Sequence, residues 1–223
     1  MTHKKQGYRF EDDWTIDELK EEQKDWNTAV TVPVNVKIEA EHRVLNLENV
    51  KGYLSNATQI AHLDCFCREK RHNCDAPTDV CIYLNDRAEF ALNSDDYEWR
   101  NPKKVTMGEA LDALVRSHEA GLVHMAYAWG DDVINVICSC CSCCCEVLSG
   151  ILRFGLAPHL LSSDIVSVAD SELCNDCGDC VERCQFGARE MMNDRMAFNP
   201  ELCFGCGLCV SICPTNAITL VEK

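Results

Sequence analysis

The sequence lacks the features that define several common classes of protein. No apolar run reaches the roughly eighteen residues that a membrane-spanning helix needs, and the opening MTHKKQGYRFEDDW has no apolar signal core. There is no GxGxxG, no P-loop and no nucleophile elbow. We therefore expect a cytoplasmic protein with no membrane span and with no flavin or nicotinamide site of its own.

Positive charge is also scarce. The chain has 21 lysines and arginines against 36 aspartates and glutamates, which gives a formal net charge of -15 at pH 7. Acidic residues also outnumber basic ones from Asp164 onward. Nucleic acid is therefore not expected as a partner, and a redox protein or oxidoreductase complex with a basic docking patch is favoured.

Cysteine, by contrast, is abundant, with 18 in 223 residues. In a reducing compartment so many cysteines point to metal. Eight of them form an internal repeat, two runs of the spacing CxxCxxCxxxC. The first run is Cys174, Cys177, Cys180 and Cys184, and the second is Cys203, Cys206, Cys209 and Cys213.

These two runs resemble those of clostridial-type ferredoxins, in which the fourth cysteine of each run crosses to the other cluster. The resemblance implies two 4Fe-4S clusters and, because such clusters are oxygen-labile, an anaerobic cell. It assigns Cys174, Cys177, Cys180 and Cys213 to cluster I. It assigns Cys203, Cys206, Cys209 and Cys184 to cluster II.

Three details of the repeat bear on this interpretation. Gly178 and Gly207 fall where the backbone must bend close to inorganic sulfide. Gln185 stands where the family usually has proline. Disulfides and tetrahedral zinc are the alternatives, but neither accounts for the third CxxC cysteine or for the Cys213-Pro214 ending.

A second group of cysteines lies in the segment CFCREKRHNCDAPTDVC. Their closeness predicts a third cluster, and free buried thiols are the alternative. Arg68 and Arg71 flank the segment and either offset cluster charge or pair with acidic residues at the surface. The predicted ligands are Cys65, Cys67, Cys74 and Cys81.

The remaining six cysteines crowd into CSCCSCCCE. Adjacent cysteines make mutual disulfides awkward, so we expect four of these thiols to bind a fourth cluster. The spacing leaves open which sulfurs bind, whether ligands exchange between the two segments, and whether one larger cluster draws on both. Four cubanes would contain about sixteen irons. The pool of ligands is Cys138, Cys140, Cys141, Cys143, Cys144 and Cys145.

Residues 30 to 155 resemble the N-terminal region of ferredoxin-like iron-sulfur proteins from anaerobes. The resemblance implies one or two clusters beyond the ferredoxin pair, but no particular reaction. Cys144-Cys145 is also similar to the CCG signature of heterodisulfide reductases, although Glu146 follows where that signature has glycine.

The expected fold is α+β. A mixed iron-sulfur domain with an N-terminal extension is expected over residues 1–163, and a (βαβ)₂ dicluster ferredoxin module over residues 164–223. The predicted strands cover residues 29–40, with Pro33 at an edge, and both sides of the Gly130-Asp131 turn. The predicted helices cover residues 12–25, 47–61, 80–84, 106–121 (where Thr106 and Glu109 form a capping box) and 146–154.

Two hypotheses about function follow from the cysteines. In the first, the chain relays low-potential electrons between soluble redox partners. In the second, it is a reductase whose N-terminal cluster site binds and reduces a small substrate such as a disulfide. His62, His72 and His124 lie near the cysteine segments and are expected to be structural, the alternative being hydrogen bonds to sulfide or proton relay.

Overall fold

The computed structural model describes residues 6–24, 26–31, 35–39, 42–46, 48–129, 134–156, 160–161 and 165–222. These residues form eight α-helices: α1 (Ile16–Gln23), α2 (Glu48–Ser55), α3 (Phe66–Arg71), α4 (Asn85–Asn93), α5 (Met107–Glu119), α6 (Glu146–Leu152), α7 (Asp179–Arg183) and α8 (Leu208–Ile212). Within these described ranges, no helix is long and apolar enough to cross a bilayer.

The same residues form thirteen strands, so the chain is α+β. The strands are β1 (Trp26–Thr31), β2 (Asn35–Glu39), β3 (His42–Asn46), β4 (Ile60–Asp64), β5 (Asp79–Leu84), β6 (Lys103–Lys104), β7 (Val123–Trp129), β8 (Val136–Cys140), β9 (Leu160–Leu161), β10 (Ile165–Ala169), β11 (Arg189–Met192), β12 (Arg195–Phe198) and β13 (Ile218–Glu222). Two 3-10 helices span Asp95–Arg100 and Pro200–Leu202.

A seven-stranded sheet organises the N-terminal part of the chain. Its strand order is β6-β4-β5-β8-β7-β1-β9. Neighbouring strands are antiparallel except for β1 and β9, which are parallel. The cysteine-bearing strands β5 and β8 lie side by side near the middle of this sheet.

The two faces of the sheet have different roles because side chains along a strand alternate in direction. On one face Ile82 and Ile137 pack with Leu114 of helix α5. On the other face, Cys81 and Cys140 belong to a larger core. Its buried and partly buried members include the ten cysteines of the N-terminal part. The sheet therefore separates an ordinary aliphatic core from a thiol-rich one.

Three predicted elements of this domain are confirmed. Helix α5 begins with a capping box in which the Thr106 side chain and the Glu109 side chain each accept a backbone N–H of the other residue. Gly121 follows it with φ +79°. Strands β7 and β8 pair on either side of residues 130–133, which lie outside the described residues, and helix α6 follows the cysteine turn.

Two other predictions were wrong. Strand β4, and not a helix, delivers the chain to Cys65, because helix α2 already ends at Ser55. Residues 80–84 also form a strand, β5, and are buried on both sides of it. A short continuous apolar run does not distinguish a buried strand from a buried helix by its periodicity, which explains the second error.

The prediction for residues 29–40 is met only in part. Strands β1 and β2 fall within that range, and Pro33 lies outside the described residues. Strand β1 pairs with both β7 and β9, so it is not an edge strand. Strands β9 and β10 lie between helix α6 and the first ferredoxin-like cysteine run.

The C-terminal part consists of two β-α-β units. The first unit is β10-α7-β11 and the second is β12-α8-β13. The outer strands β10 and β13 pair with each other, and the inner strands β11 and β12 form a hairpin. The two units, and with them the two cysteine runs, are therefore related by approximate twofold symmetry.

Candidate metal centres

Each ferredoxin-like run contributes three cysteines to one cavity and one to the other. The first cavity is lined by Cys174, Cys177, Cys180 and Cys213, and the second by Cys203, Cys206, Cys209 and Cys184. The exchange arises because each short helix carries the third cysteine of its run and ends at the fourth. The two lining sets are those that the sequence predicts, and their occupation by clusters stays a prediction.

Two glycines shape these cavities. Gly178 and Gly207 precede helices α7 and α8 with φ of +85° and +78°, a backbone conformation that favours glycine. Each allows the chain to turn from the CxxC segment into the helix without a Cβ penalty. The four converging thiols and these turns fit a cofactor that takes four thiolates.

Burial controls the charge of these thiols. It raises the pKa of Cys180 to about 11, and it also raises the pKa of Cys206 and of Cys209. These three thiols are therefore neutral at pH 7 without metal, and a bound metal must displace their protons. Cys177 is the exposed member of the first cavity.

A buried arginine supports the second cavity. Arg189 donates from Nη2 to Ser167 Oγ at 2.9 Å, and Ser167 Oγ lies 3.5 Å from Cys203 Sγ. Arg189 is 3% exposed. This positive side chain partly offsets the charge of thiolates bound to metal.

The ten N-terminal cysteines form two groups that differ from the expected sets. Cys74, which the sequence groups with Cys65, Cys67 and Cys81, lies instead among cysteines of the second segment. The first group, which we call the four-thiol site, is Cys74, Cys141, Cys143 and Cys144. The second, which we call the six-thiol ring, is Cys65, Cys67, Cys81, Cys138, Cys140 and Cys145.

Four different elements build the six-thiol ring. Cys65 and Cys67 lie at the start of helix α3, and Cys145 caps the start of helix α6. Cys138 and Cys140 share one face of β8, because side chains two residues apart point the same way. The pairing of Ile82 with Ile137 places Cys81 next to Cys138 on the neighbouring strand.

The ring thiols perturb one another's pKa in a closed order. Each thiol affects the pKa of two others, in the sequence Cys65, Cys67, Cys145, Cys140, Cys138, Cys81 and back to Cys65. No thiol of the ring is left outside this order. The six sulfurs therefore surround one space.

The pKa values vary around the ring. Hydrogen bonds from Cys140 and Cys81 lower the pKa of Cys138 to about 6, and those from Cys140 and Cys67 lower that of Cys145. Hydrogen bonding to Cys138 together with burial raises the pKa of Cys81 to about 12. Some ring thiols are thus ionised at pH 7 and others protonated, so metal binding would release protons from the latter.

The ring thiols line a cavity of about 400 Å³ that reaches the surface. Its inner wall includes Tyr127 and Glu146, which are buried. Its outer wall includes Trp99, which is 53% exposed, and the exposed side chains of Glu21 and Lys24. The volume falls in the range of small-molecule pockets, about 300–1,000 Å³.

Two buried arginines lie close to the N-terminal thiols. Arg68 donates from Nη1 to Cys141 Sγ at 3.6 Å and from Nη2 to the Ser139 carbonyl at 3.0 Å. Arg100 lines the six-thiol cavity and donates to the Tyr83 hydroxyl at 2.7 Å. Arg68 was a candidate from its position beside Cys67, but nothing in the sequence marks Arg100.

The other flanking residues are structural. Arg71 pairs with Glu18 at 2.7 Å, which fastens helix α3 to helix α1. His124 is fully buried, and burial lowers its pKa to about 3, so its ring is neutral and contacts Ser139 Oγ at 3.0 Å. His72 ends helix α3 with φ 48°, and His62 lies in strand β4.

Gln185 joins the ferredoxin-like part to the cysteine-rich part. Its side chain is 3% exposed. Its Oε1 accepts the backbone N–H of Ser142 at 2.7 Å, and its Nε2 donates to the Gly121 carbonyl at 2.5 Å. The departure from proline at this position therefore connects the residue after Cys184 to the turn of the four-thiol site.

We expect the substitution Gln185→Leu to loosen this junction. It leaves a buried N–H and a buried carbonyl without partners, at a cost of about 1–3 kcal/mol each. Hydrogen exchange should become faster at residues 138–145. The exposed Glu190→Gln variant is the control and should exchange like the wild type, whereas unchanged exchange in Gln185→Leu would refute the connection.

Comparison with known proteins supports the metal assignment. A family model described as a 4Fe-4S binding domain (Fer4) matches residues 196–219. No curated protein matches the chain. The matched stretch contains the whole second run, Cys203 to Cys213. With the cysteine groups, it supports a metal-binding iron-sulfur protein that carries 4Fe-4S clusters.

Proposed function

We propose that the chain is a multi-cluster iron-sulfur protein that relays low-potential electrons between redox partners. The observation that carries this proposal is that both halves share one core: Cys206 of the second ferredoxin cavity is buried in the same hydrophobic cluster as Cys140 and Cys145 of the ring. Thiols from the two halves therefore belong to one continuous core inside the protein.

The proposed roles follow the thiol groups. Residues 164–223 form the ferredoxin-like domain and hold two 4Fe-4S clusters, and the six-thiol ring holds a third iron-sulfur cluster. Clusters bound to these thiols supply one-electron transfer. Gln185 holds the second cavity against the cysteine-rich domain. Phe186 and Phe204, whose stacked rings lie 4.6 Å apart, pack in the shared core. A reducing cytoplasm fits eighteen free cysteines.

Reoxidation of the reduced protein tests this function. Anaerobically purified protein is reduced with dithionite, freed of the reductant and mixed with cytochrome c as a basic one-electron acceptor. We expect more than about two electrons per chain, because two ferredoxin clusters alone would supply about two. A bleached spectrum of reduced clusters that persists in the presence of the acceptor would overturn the proposal.

The rate of that reaction should depend on salt. Cys177 is exposed and lies in the C-terminal part, where acidic residues outnumber basic ones. A basic acceptor is therefore attracted to this part over a long range. The screening length falls from about 30 Å at 0.01 M to about 10 Å at 0.1 M salt. We expect the stopped-flow association rate to fall by about tenfold or more across a salt series. An uncharged acceptor dye should show no such decline, and equal behaviour of both acceptors would count against steering.

The six-thiol cavity favours a second candidate function, the reduction of a small substrate such as a disulfide. It is large enough for a ligand and opens beside Trp99. A substrate that enters should change the spectrum of the ring cluster and leave the ferredoxin signals unaltered. Lack of any response to a series of small disulfides would favour electron transfer alone.

A further inference from the structure

The four-thiol site has the dimensions of a site for one metal ion. Cys74 Sγ lies 3.7 Å from Cys141 Sγ and 3.7 Å from Cys144 Sγ, and all four sulfurs lie within 4.8 Å of one another. A tetrahedron with metal–sulfur bonds of about 2.3 Å has sulfur–sulfur edges of about 3.8 Å. A disulfide would require about 2.05 Å, so these contacts are not incipient disulfides.

The other cysteines of the chain provide an internal comparison. All 18 cysteines fall within the described residues, and only the four-thiol site brings three or more sulfurs within 4.8 Å of one another. In a cubane each thiolate binds a different iron, so its sulfurs are spread around the whole cluster. The ferredoxin cavities and the six-thiol ring are open in this way, and the four-thiol site is not.

The surroundings of the site are those of a closed structural centre. Cys141 and Cys144 are 1% and 0% exposed. The backbone of the turn is fixed from outside: Asn73 Nδ2 donates to the Cys143 carbonyl at 3.0 Å, and Trp14 Nε1 donates to the Cys144 carbonyl at 2.8 Å. Such fixation of the ligands is typical of structural metal sites.

The charge of the site is also accounted for. Four thiolates around a divalent ion carry a net charge of about -2, which a buried site must balance. Arg68 is 1% exposed and directs Nη1 at Cys141 Sγ. Its guanidinium offsets part of that charge and holds the sulfur in place.

We propose that Cys74, Cys141, Cys143 and Cys144 bind a single zinc ion in tetrahedral geometry, in place of a 4Fe-4S cluster. Zinc suits four protein thiolates with no open position, the arrangement of structural sites. The ion links the loop before β5 to the turn after β8. It thereby fixes these two strands, which carry the ring thiols Cys81, Cys138 and Cys140. This inference concerns a site separate from the proposed electron carriers.

Metal analysis of the wild-type holoprotein tests the proposal directly. We expect about one zinc per chain, with four sulfurs at about 2.3 Å in the zinc X-ray absorption spectrum. A zinc content near zero, or a zinc shell that contains nitrogen or oxygen ligands, would overturn it. Protein that has zinc but no iron would refute the electron-transfer function and leave the zinc site standing.

A reciprocal pair of variants identifies the ligands. Cys74→Ala should lose the zinc and keep its iron, and Cys138→Ala, in the neighbouring ring, should keep the zinc. Loss of about four irons from Cys74→Ala would show a cubane at the site, and loss of about one would show a single iron. Either result overturns zinc. Should the variant fold poorly, the wild-type absorption spectrum still decides the question.

Discussion

Cys140→Ala should remove all iron bound outside the ferredoxin-like domain, reducing the content from about twelve or more irons per chain to about eight. Cys140 is 6% exposed and lies between Cys138 and Cys145 in the ring. Its loss opens the ring at the end of strand β8. Iron and acid-labile sulfide assays on anaerobically purified protein measure the change.

Two controls define the result. Ser139→Ala alters a buried residue of the same strand without removing a thiol and should keep the full iron content. Cys74→Ala should also keep it, because Cys74 belongs to the other group. Full iron retention in Cys140→Ala would show that the ring does not hold a cluster.

The same approach determines the size of the ring cluster. A cubane takes four thiolates, so two of the six ring thiols would be dispensable. We expect every one of the six single alanine variants to change the Mössbauer spectrum, because all six thiols line the same cavity. Two variants with wild-type spectra would establish a cubane in the ring, whereas six altered spectra would favour a larger cluster.

The lining sets of the ferredoxin cavities follow from the sequence because the constraint is local. Within each run the cysteines are three or four residues apart, so a short loop and one helical turn fix their relative positions. The exchange of Cys184 and Cys213 is what the resemblance to clostridial-type ferredoxins implies. The N-terminal sites have no such repeat.

The division of the N-terminal cysteines depends on tertiary structure. Cys138 and Cys140 point to the ring because they share a face of β8, while Cys141 begins the turn that leads to the four-thiol site. Cys74 is separated from Cys67 by the end of helix α3 at His72. Sequence proximity therefore groups Cys74 with Cys67, whereas the fold places it beside Cys141 and Cys144. The strand register brings Cys81 to Cys138.

A buried ion pair between Arg153 and Asp13 ties the N-terminal segment to the cysteine turn. Arg153 is 0% exposed and also donates to the carbonyls of Ser142 at 2.8 Å and Cys143 at 3.1 Å. Burial raises the pKa of Asp13, but the hydrogen bond from Arg153 and two backbone N–H groups outweigh it, so the pKa is lowered overall. The carboxylate is therefore ionised at pH 7.

Arg153→Met should be among the most destabilising single substitutions in the chain. It leaves the Asp13 carboxylate buried without its cation, a loss of about 3–5 kcal/mol in the free energy of unfolding. Anaerobic denaturant unfolding, followed by circular dichroism, measures the difference. Arg116→Met removes an exposed pair with Asp79 and should cost no more than about 1 kcal/mol. Equal losses in the two variants would show that the buried pair does not hold the turn, since burial is the difference between them.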